Sequence, residues 1–383
     1  MKHYKLETSW AGTVLKYPLT IIITSILMVL LTAYGARYAT VSSDYRYFFG
    51  EDNPQRIAFE SLQNVYSKDD SVLMTVTPGD GQVFKPETLK GLRYLTREAW
   101  QLPYVTRVDS ITNFQYSHAS GDDLIVQDLV RQQDASVSQN RTQLTKLKNI
   151  ALAEPLLKNR LINDQASVTG VNVKMTFPGN SPFEVPEAAE AARQLAEKFK
   201  QQYPGHEVHL TGMVMLNDAF NEAGIRDVMT LMPTMYLLIT IMLFLFLRNI
   251  TSVATTLGVV IVSILTGVGF SGWASIPITP PSSIAPTVIM TLAIANSMHI
   301  LKTLLKTMGN GETKDQAIVE SLRQNLRPVF LTSLTTIIGF LSLNFSDTPP
   351  FHDLGNITAV GVAMAFILSV GFLPAIISLS NIK

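Results

Sequence analysis

Two apolar stretches carry the side chains whose types and spacing offer chemistry. Asn296, Ser297 and His299 lie in TLAIANSMHIL, and Thr332, Thr335 and Thr336 lie in LTSLTTIIG. An amide or a hydroxyl donates and accepts hydrogen bonds but does not exchange a proton near neutral pH. His299 is the one ionisable side chain in the 53 charge-free residues from 249 to 301. An imidazole titrates near neutrality, which makes it the candidate proton carrier of this stretch. It follows Asn296 by three residues, which on a helix predicts a shared face. The alternative role for His299 is a hydrogen bond to a neighbouring helix. Thr332, Thr335, Thr336 and Gly339 recur at i, i+3, i+4 and i+7. Such a face either lines a path for protons or water, or lets two helices pack closely.

Other chemistry is missing from the text of the sequence. There is no GxxxxGK[ST] phosphate loop, no HExxH and no GxSxG, so neither ATP hydrolysis nor these hydrolytic reactions are expected. The chain has 0 cysteines, which excludes disulfides and thiolate metal sites. The six histidines stand at 3, 118, 206, 209, 299 and 352. His206 and His209 form an HxxH pair on an expected strand, where that spacing points the two rings to opposite faces. No metal, no cofactor and no enzymatic activity are expected.

The candidate residues sit on elements that must be membrane spans. The chain has 383 residues, of which 16% are charged, against roughly 25% in ordinary soluble domains. Charge-free runs cover 17–36, 228–247, 249–301, 328–346 and 354–382. About 20 apolar helical residues cross a bilayer, so the 53-residue run holds two spans and the total is six. The first, YPLTIIITSILMVLLTAYG, exceeds the roughly 7–15 residues of a signal-peptide core and reads as an uncleaved anchor. Lys2, Lys5 and Lys16 precede it. Arg248 follows span 2, and Lys302, Lys306, Lys314, Arg323 and Arg327 lie between spans 4 and 5. The connections GWASIPITPPSS and SDTPPFHD hold no Lys or Arg. Basic residues thus alternate sides, which predicts cytoplasmic termini. Pro280, Pro281 and Pro286 are expected to bend the start of span 4, leaving a lateral groove for lipid or a rigid loop. Ala317, Ile318, Leu322 and Leu326 form an apolar stripe that predicts a cytoplasmic amphipathic helix at about 312–326, on the membrane face or as a solvated linker.

Residues 37–227 differ from the rest. They carry 20 Lys/Arg against 24 Asp/Glu, a balance of −4, so no electrostatic footprint for nucleic acid exists. Strands are expected at 71–77, at VTRVDSI, at VTGVNVKMTF and at EVHLTG. Helices are expected from Pro86, over 140–158 with a break at Pro155, and over 186–203. The strand–helix–strand order occurs twice, which predicts paired α+β sandwiches in an extracytoplasmic domain. A helix from about Val214 is expected to run on into span 2. The chain therefore divides into a head and span 1 (1–36), this domain (37–227), and spans 2–6 (228–383).

One span, a large inserted domain and five more spans together resemble one repeat of the resistance–nodulation–division (RND) superfamily. The lipid-exporting (MMPL-like) and sterol-sensing-like branches are the nearest in pattern. HLTGMVMLNDAFNEAGIRDVMTLMP resembles that family's approach to span 2, and RPVFLTSLTTIIGFLSLNFSDTPPFHDLG its span 5 and following loop. TLAIANSMHIL resembles its span 4 signature. The resemblance implies a six-span α-helical bundle with an α+β porter-like domain between spans 1 and 2. It also implies export of hydrophobic or amphiphilic, lipid-like molecules from a bacterial inner membrane, with the domain periplasmic and open to a periplasmic partner. The family couples export to protons through an acid on span 4, where this chain has Asn296. A sensor or scaffold that binds lipid is the alternative favoured by that amide, and the six-span SecD and SecF export proteins share the plan. RND transporters have two such repeats, so a second six-span repeat or a homodimer is the expected partner. Ser263 with Gly267, and Gly361 with Ala365, offer small-residue faces for helix packing.

Overall fold

In the computed structural model the described residues are 5–42, 44–65, 70–130, 141–179, 181 and 183–380. Lys2, His3 and residue 140 lie outside them. The chain separates into two units, one of residues 1–53 with 222–383 and one of Pro54–Asn221. The segment 37–53, expected with the inserted domain, belongs with the membrane helices.

The unit Pro54–Asn221 is α+β. Strands β1 (Asp70–Pro78), β2 (Val105–Ser110), β5 (Thr169–Met175) and β6 (His206–Thr211) form one antiparallel sheet in the order β2-β5-β1-β6. A separate hairpin pairs β3 (Gln115–Ser120) with β4 (Asp123–Asp128). Two strand–helix–strand units were expected to form two sandwiches, but they share one sheet. Each unit has two strands, and a two-stranded ribbon cannot cover a helix, so β5 inserts beside β1 and both helices pack on one four-stranded layer. Alternation in β1 sends Val72, Met74 and Val76 into the core. Helix Pro86–Ala99 starts on its proline and buries Leu89, Leu92 and Leu95. Helix Glu184–Gln202 buries Ala188, Ala192, Leu195 and Phe199 against the same core. Helix Arg141–Ala153 stops two residues before Pro155, where the residue preceding proline is steered out of the helical region. His206 accepts or donates a 3.0 Å hydrogen bond with Thr88, while His209 lies exposed on the strand.

Among the described residues, six helices are long and apolar enough to cross a membrane: Pro18–Tyr38, Met213–Leu247, Ile250–Trp273, Ser282–Gly309, Lys314–Phe345 and Pro349–Leu379. Taken in order they are spans 1 to 6. Spans 3, 4 and 6 form the interior of the membrane unit, and spans 1, 2 and 5 leave most of their apolar surface exposed. Span 1 meets span 3 backbone to backbone through Gly35, Gly269 and Gly272. The Trp273 indole Nε1 donates to the Leu31 carbonyl at 3.0 Å. Gly267 and Gly361 instead receive one side chain, Ile289 of span 4.

The expected amphipathic helix is not a separate element. Lys314–Leu341 is one 28-residue helix that begins with a capping box at Thr313 and Gln316 and continues through Pro328. Its stripe does not lie open, since Ala317, Ile318 and Leu322 are fully buried. The N-terminal helix Lys5–Lys16, with Ala11 and Val14 buried, packs on it. The apolar face thus finds a protein partner that span-by-span reading had treated only as a basic head.

Candidate functional site

Span 4 places the candidate residues by its own periodicity. Ala293, Asn296, Ser297, Ile300, Leu301 and Leu304 point into the bundle and are buried. Thr291, Ala295, His299, Lys302 and Lys306 fall on the opposite, exposed stripe. Asn296 and His299 therefore do not share a buried face. Three residues on a helix differ by about 60° of rotation, and here the boundary of the packed face falls between them.

The buried pair joins three helices. Asn296 Nδ2 donates to Ser333 Oγ on span 5 at 3.1 Å. The next residue, Ser297, exchanges a 3.2 Å hydroxyl contact with Ser369 on span 6. Ser369 lies in a widened turn, Leu368–Phe372, just before the short helix Leu373–Leu379. Pro374 has no N–H to offer the Val370 carbonyl four residues earlier. The indole Nε1 of Trp10 donates to that carbonyl at 2.9 Å instead. The N-terminal helix thereby props the turn that holds Ser369 against Ser297. Two further bonds run between spans 4 and 5, from Ser321 Oγ to the Ile300 carbonyl at 2.6 Å and from Asn325 Nδ2 to Thr303 Oγ1 at 2.8 Å.

The span 5 threonines lie away from this junction. Thr332 and Thr335 are exposed and return their hydroxyls to carbonyls of their own helix, those of Pro328 and Leu331. Thr336 is half-buried. Ser333 is the residue that sequence reasoning passed over. Its signal was present: the buried stripe of Ala317, Ile318 and Leu322 continues at four-, three- and four-residue steps through half-buried Leu326 and buried Val329 to Ser333.

The junction consists of one amide and three hydroxyls, none of which titrates near neutral pH. It can hold helices in register and pass hydrogen bonds, but it cannot load and release a proton. The His299 ring makes no hydrogen bond among the described residues. No group of three His, Asp or Glu side chains among the described residues is placed to hold a metal ion.

The arrangement of spans and inserted α+β unit agrees with a family match. The model of the MMPL family, within the RND superfamily, matches residues 57–381. The chain belongs to the MMPL family. Curated relatives are more distant. A putative membrane protein of Methanocaldococcus jannaschii is 25% identical over 57% of this chain and 56% of its own length. The probable transport protein MmpL12 of Mycobacterium tuberculosis is 24% identical over 60% of this chain and 20% of its own. The siderophore exporter MmpL5 of the same organism is 26% identical over 51% and 21%. The chain thus matches about half the length of the first and about a fifth of the others. The names of the last two relatives are those of a transport protein and an exporter.

Proposed function

We propose that this MMPL protein is one six-span half of an exporter of hydrophobic or amphiphilic, lipid-like molecules, working with a second six-span unit. The unit Pro54–Asn221 acts as the porter-like domain on the periplasmic side of a bacterial inner membrane, with both termini cytoplasmic. Proton coupling at span 4 is absent from this half. The observation that carries the reading is the contrast on span 4. Its buried polar residues, Asn296 and Ser297, are non-titrating and already bonded, while His299, its first titratable residue, faces outward with no hydrogen bond to its ring among the described residues. A lone imidazole on a membrane helix is costly to leave without a polar partner. A second six-span unit packed on that stripe supplies one, as in transporters whose pathway lies between repeats.

The test is transport of a fluorescent phospholipid in vesicles holding the full chain, with an internal pH dye. His299→Ala is expected to leave lipid movement within about twofold, a change of about 0.4 kcal/mol. Asn296→Asp is expected to introduce proton flux where the wild type has none. Loss of lipid-driven proton flux on His299→Ala overturns the passive reading and makes His299 a relay. Lipid that co-purifies and never moves favours the sensor or scaffold, the second reading that an amide at position 296 supports.

A further inference from the structure

Span 6 holds an acid that its charge-free run conceals. Asp353 is the fifth residue of helix Pro349–Ile367, and it is 7% exposed. Its Oδ2 is buried with no hydrogen-bond partner. The Tyr47 hydroxyl, on the turn Tyr45–Phe48 that follows span 1, reaches the carboxyl group. Burial and the neighbouring Asp353 push the Tyr47 hydroxyl up to about 12, so it stays a donor throughout the physiological range. The segment carrying Tyr47 is strapped to the span 3–4 connection, where Ser42 N donates to the Ile278 carbonyl at 3.0 Å and Ile278 N to that of Thr40 at 2.7 Å.

The charges around Asp353 are few. His352, its neighbour on the same helix, has its Nε2 within 2.5 Å of the Ser346 carbonyl. Arg46, on the turn with Tyr47, pairs with Asp44 at 3.4 Å, and Glu51 acts on Tyr47. Span 3, the turns Ser282–Ile284 and Ser342–Phe345, and residues 328–346 of span 5 contain no ionisable side chain. The ionisable groups of span 4 begin at His299, fourteen residues past its Ala285 start. Among the described residues, the side chains that act on the Asp353 carboxyl are Tyr47 and His352, and neither is a Lys or an Arg. An unpaired buried carboxylate is expensive, and the cheapest relief is a proton. A metal cation needs several more oxygens than one carboxyl and one phenol provide.

We propose that Asp353 is a proton-binding site, loaded at neutral pH and closed over by Tyr47. The proton sits on the free Oδ2. When the Tyr45–Phe48 turn lifts, water reaches Oδ2, the O–H bond breaks, hydronium leaves and the carboxylate remains. The site does not rest on the transport reading, because protonation is measured on the purified chain without cargo.

The experiment is infrared difference spectroscopy of the full-length protein in lipid nanodiscs, titrated from about pH 4 to about pH 8, a range above the ordinary Asp value of about 3.9. One protonated-carboxyl C=O band is expected to persist near pH 7. It should be absent from Asp353→Asn and shifted in frequency, not lost, in Tyr47→Phe, which keeps the acid and removes its hydrogen bond. Asn is nearly isosteric with Asp, and if Asp353→Asn nonetheless fails to fold, the Tyr47→Phe shift alone decides. Spectra of wild type and variants that superimpose at every pH overturn the proposal. A band that disappears on replacing potassium by sodium at constant pH also overturns it, in favour of a sodium site.

Discussion

The crossing of spans 1 and 3 offers the sharpest test of the packing. A Cβ built on Gly269 would stand 2.0 Å from the Thr32 carbonyl oxygen, and one on Gly272 would stand 1.9 Å from that of Gly35. Real Cβ atoms stay beyond 3.0 Å, so each alanine forces the helices apart by about 1 Å or more. Overpacking usually costs about 1–3 kcal/mol because side chains can shift. Here the obstacle is backbone on the opposing helix, and no rotamer relieves it. Withdrawal also stretches the 3.0 Å bond from Trp273 to Leu31, worth about 1 kcal/mol. The expected loss is about 3–4 kcal/mol for either substitution, or more than a hundredfold in the folding equilibrium. The two are one turn apart against one partner, so the double variant should fall short of the sum. Gly258 lies on the same span with nothing within 4 Å of its built Cβ. Gly258→Ala should therefore be neutral, or stabilising by up to about 1 kcal/mol through helix propensity. Reversible unfolding in mixed micelles reads the four variants against the wild type. If Gly269→Ala and Gly272→Ala match Gly258→Ala within about 0.5 kcal/mol, spans 1 and 3 do not meet through their glycines.

Within the α+β unit, Asp218 is buried against Arg193 at 2.6 Å. Arg193→Met strands that carboxylate and should cost about 2 kcal/mol in chemical denaturation, below the ~3–5 of a fully buried pair because the arginine is partly exposed. An unchanged midpoint contradicts the pairing. The Tyr47 hydroxyl titrates higher folded, at about 12, than its ordinary 10.0, so its contribution to stability is complete below pH about 10 and lost as pH rises towards about 12. In an ultraviolet titration Tyr47→Phe should remove absorbance change from the most alkaline part of the curve, and a curve altered only near pH 10 rejects the buried placement. Reporter fusions near residues 120 and 278 are expected to read outside, and those near 312 and at the C-terminus inside, from the alternation of Lys and Arg. An inside signal at 120 reverses the architecture.

How far the sequence was legible depends on which physical signal marked each element. Hydrophobic length marked all six spans, because a bilayer imposes it. Charge marked their ends poorly: the run 354–382 begins after Asp353, yet the helix begins at Pro349. A carboxylate was read as the end of a span when it is folded into one. Alternation marked β1 and proline marked the start of helix Pro86–Ala99. In the β3–β4 hairpin, QYSHAS is mostly polar and DLIVQD sets Leu124, Ile125 and Val126 side by side instead of alternating, so its clearest mark was the turn at Gly121, which takes φ +66°. On spans 4 and 5 the residue types were right and the faces were not. Threonine at i, i+3 and i+4 defines a face without saying which way it looks, and only the continuation of the buried stripe to Ser333 would have said so.

The outward polar residues of spans 4 and 5 differ in what they need from a neighbour. Thr291, Thr332 and Thr335 bond the carbonyls of Thr287, Pro328 and Leu331 on their own helices. A threonine satisfied in this way asks nothing of a second unit and sits in lipid at little cost. The imidazole of His299 is too long and its donors too distant from the helix backbone for the same solution, and Thr303 bonds only its carbonyl. Small residues do not distinguish the faces either, since Gly267 and Gly361 are consumed inside the unit by Ile289. Among the described residues, the His299 ring is thus left without a hydrogen bond on the exposed stripe of span 4, deeper in the span than Lys302 and Lys306, which stand near its end. His299→Leu removes that need and replaces it with a side chain lipid accepts. It should weaken association with a second unit while leaving the unit's own thermal stability within about 0.5 kcal/mol, since surface substitutions seldom exceed that. Association measured by energy transfer between labelled copies or halves in vesicles reads the first quantity, and unfolding reads the second. If association is unchanged, the second unit packs elsewhere and the exposed stripe of span 4 faces lipid.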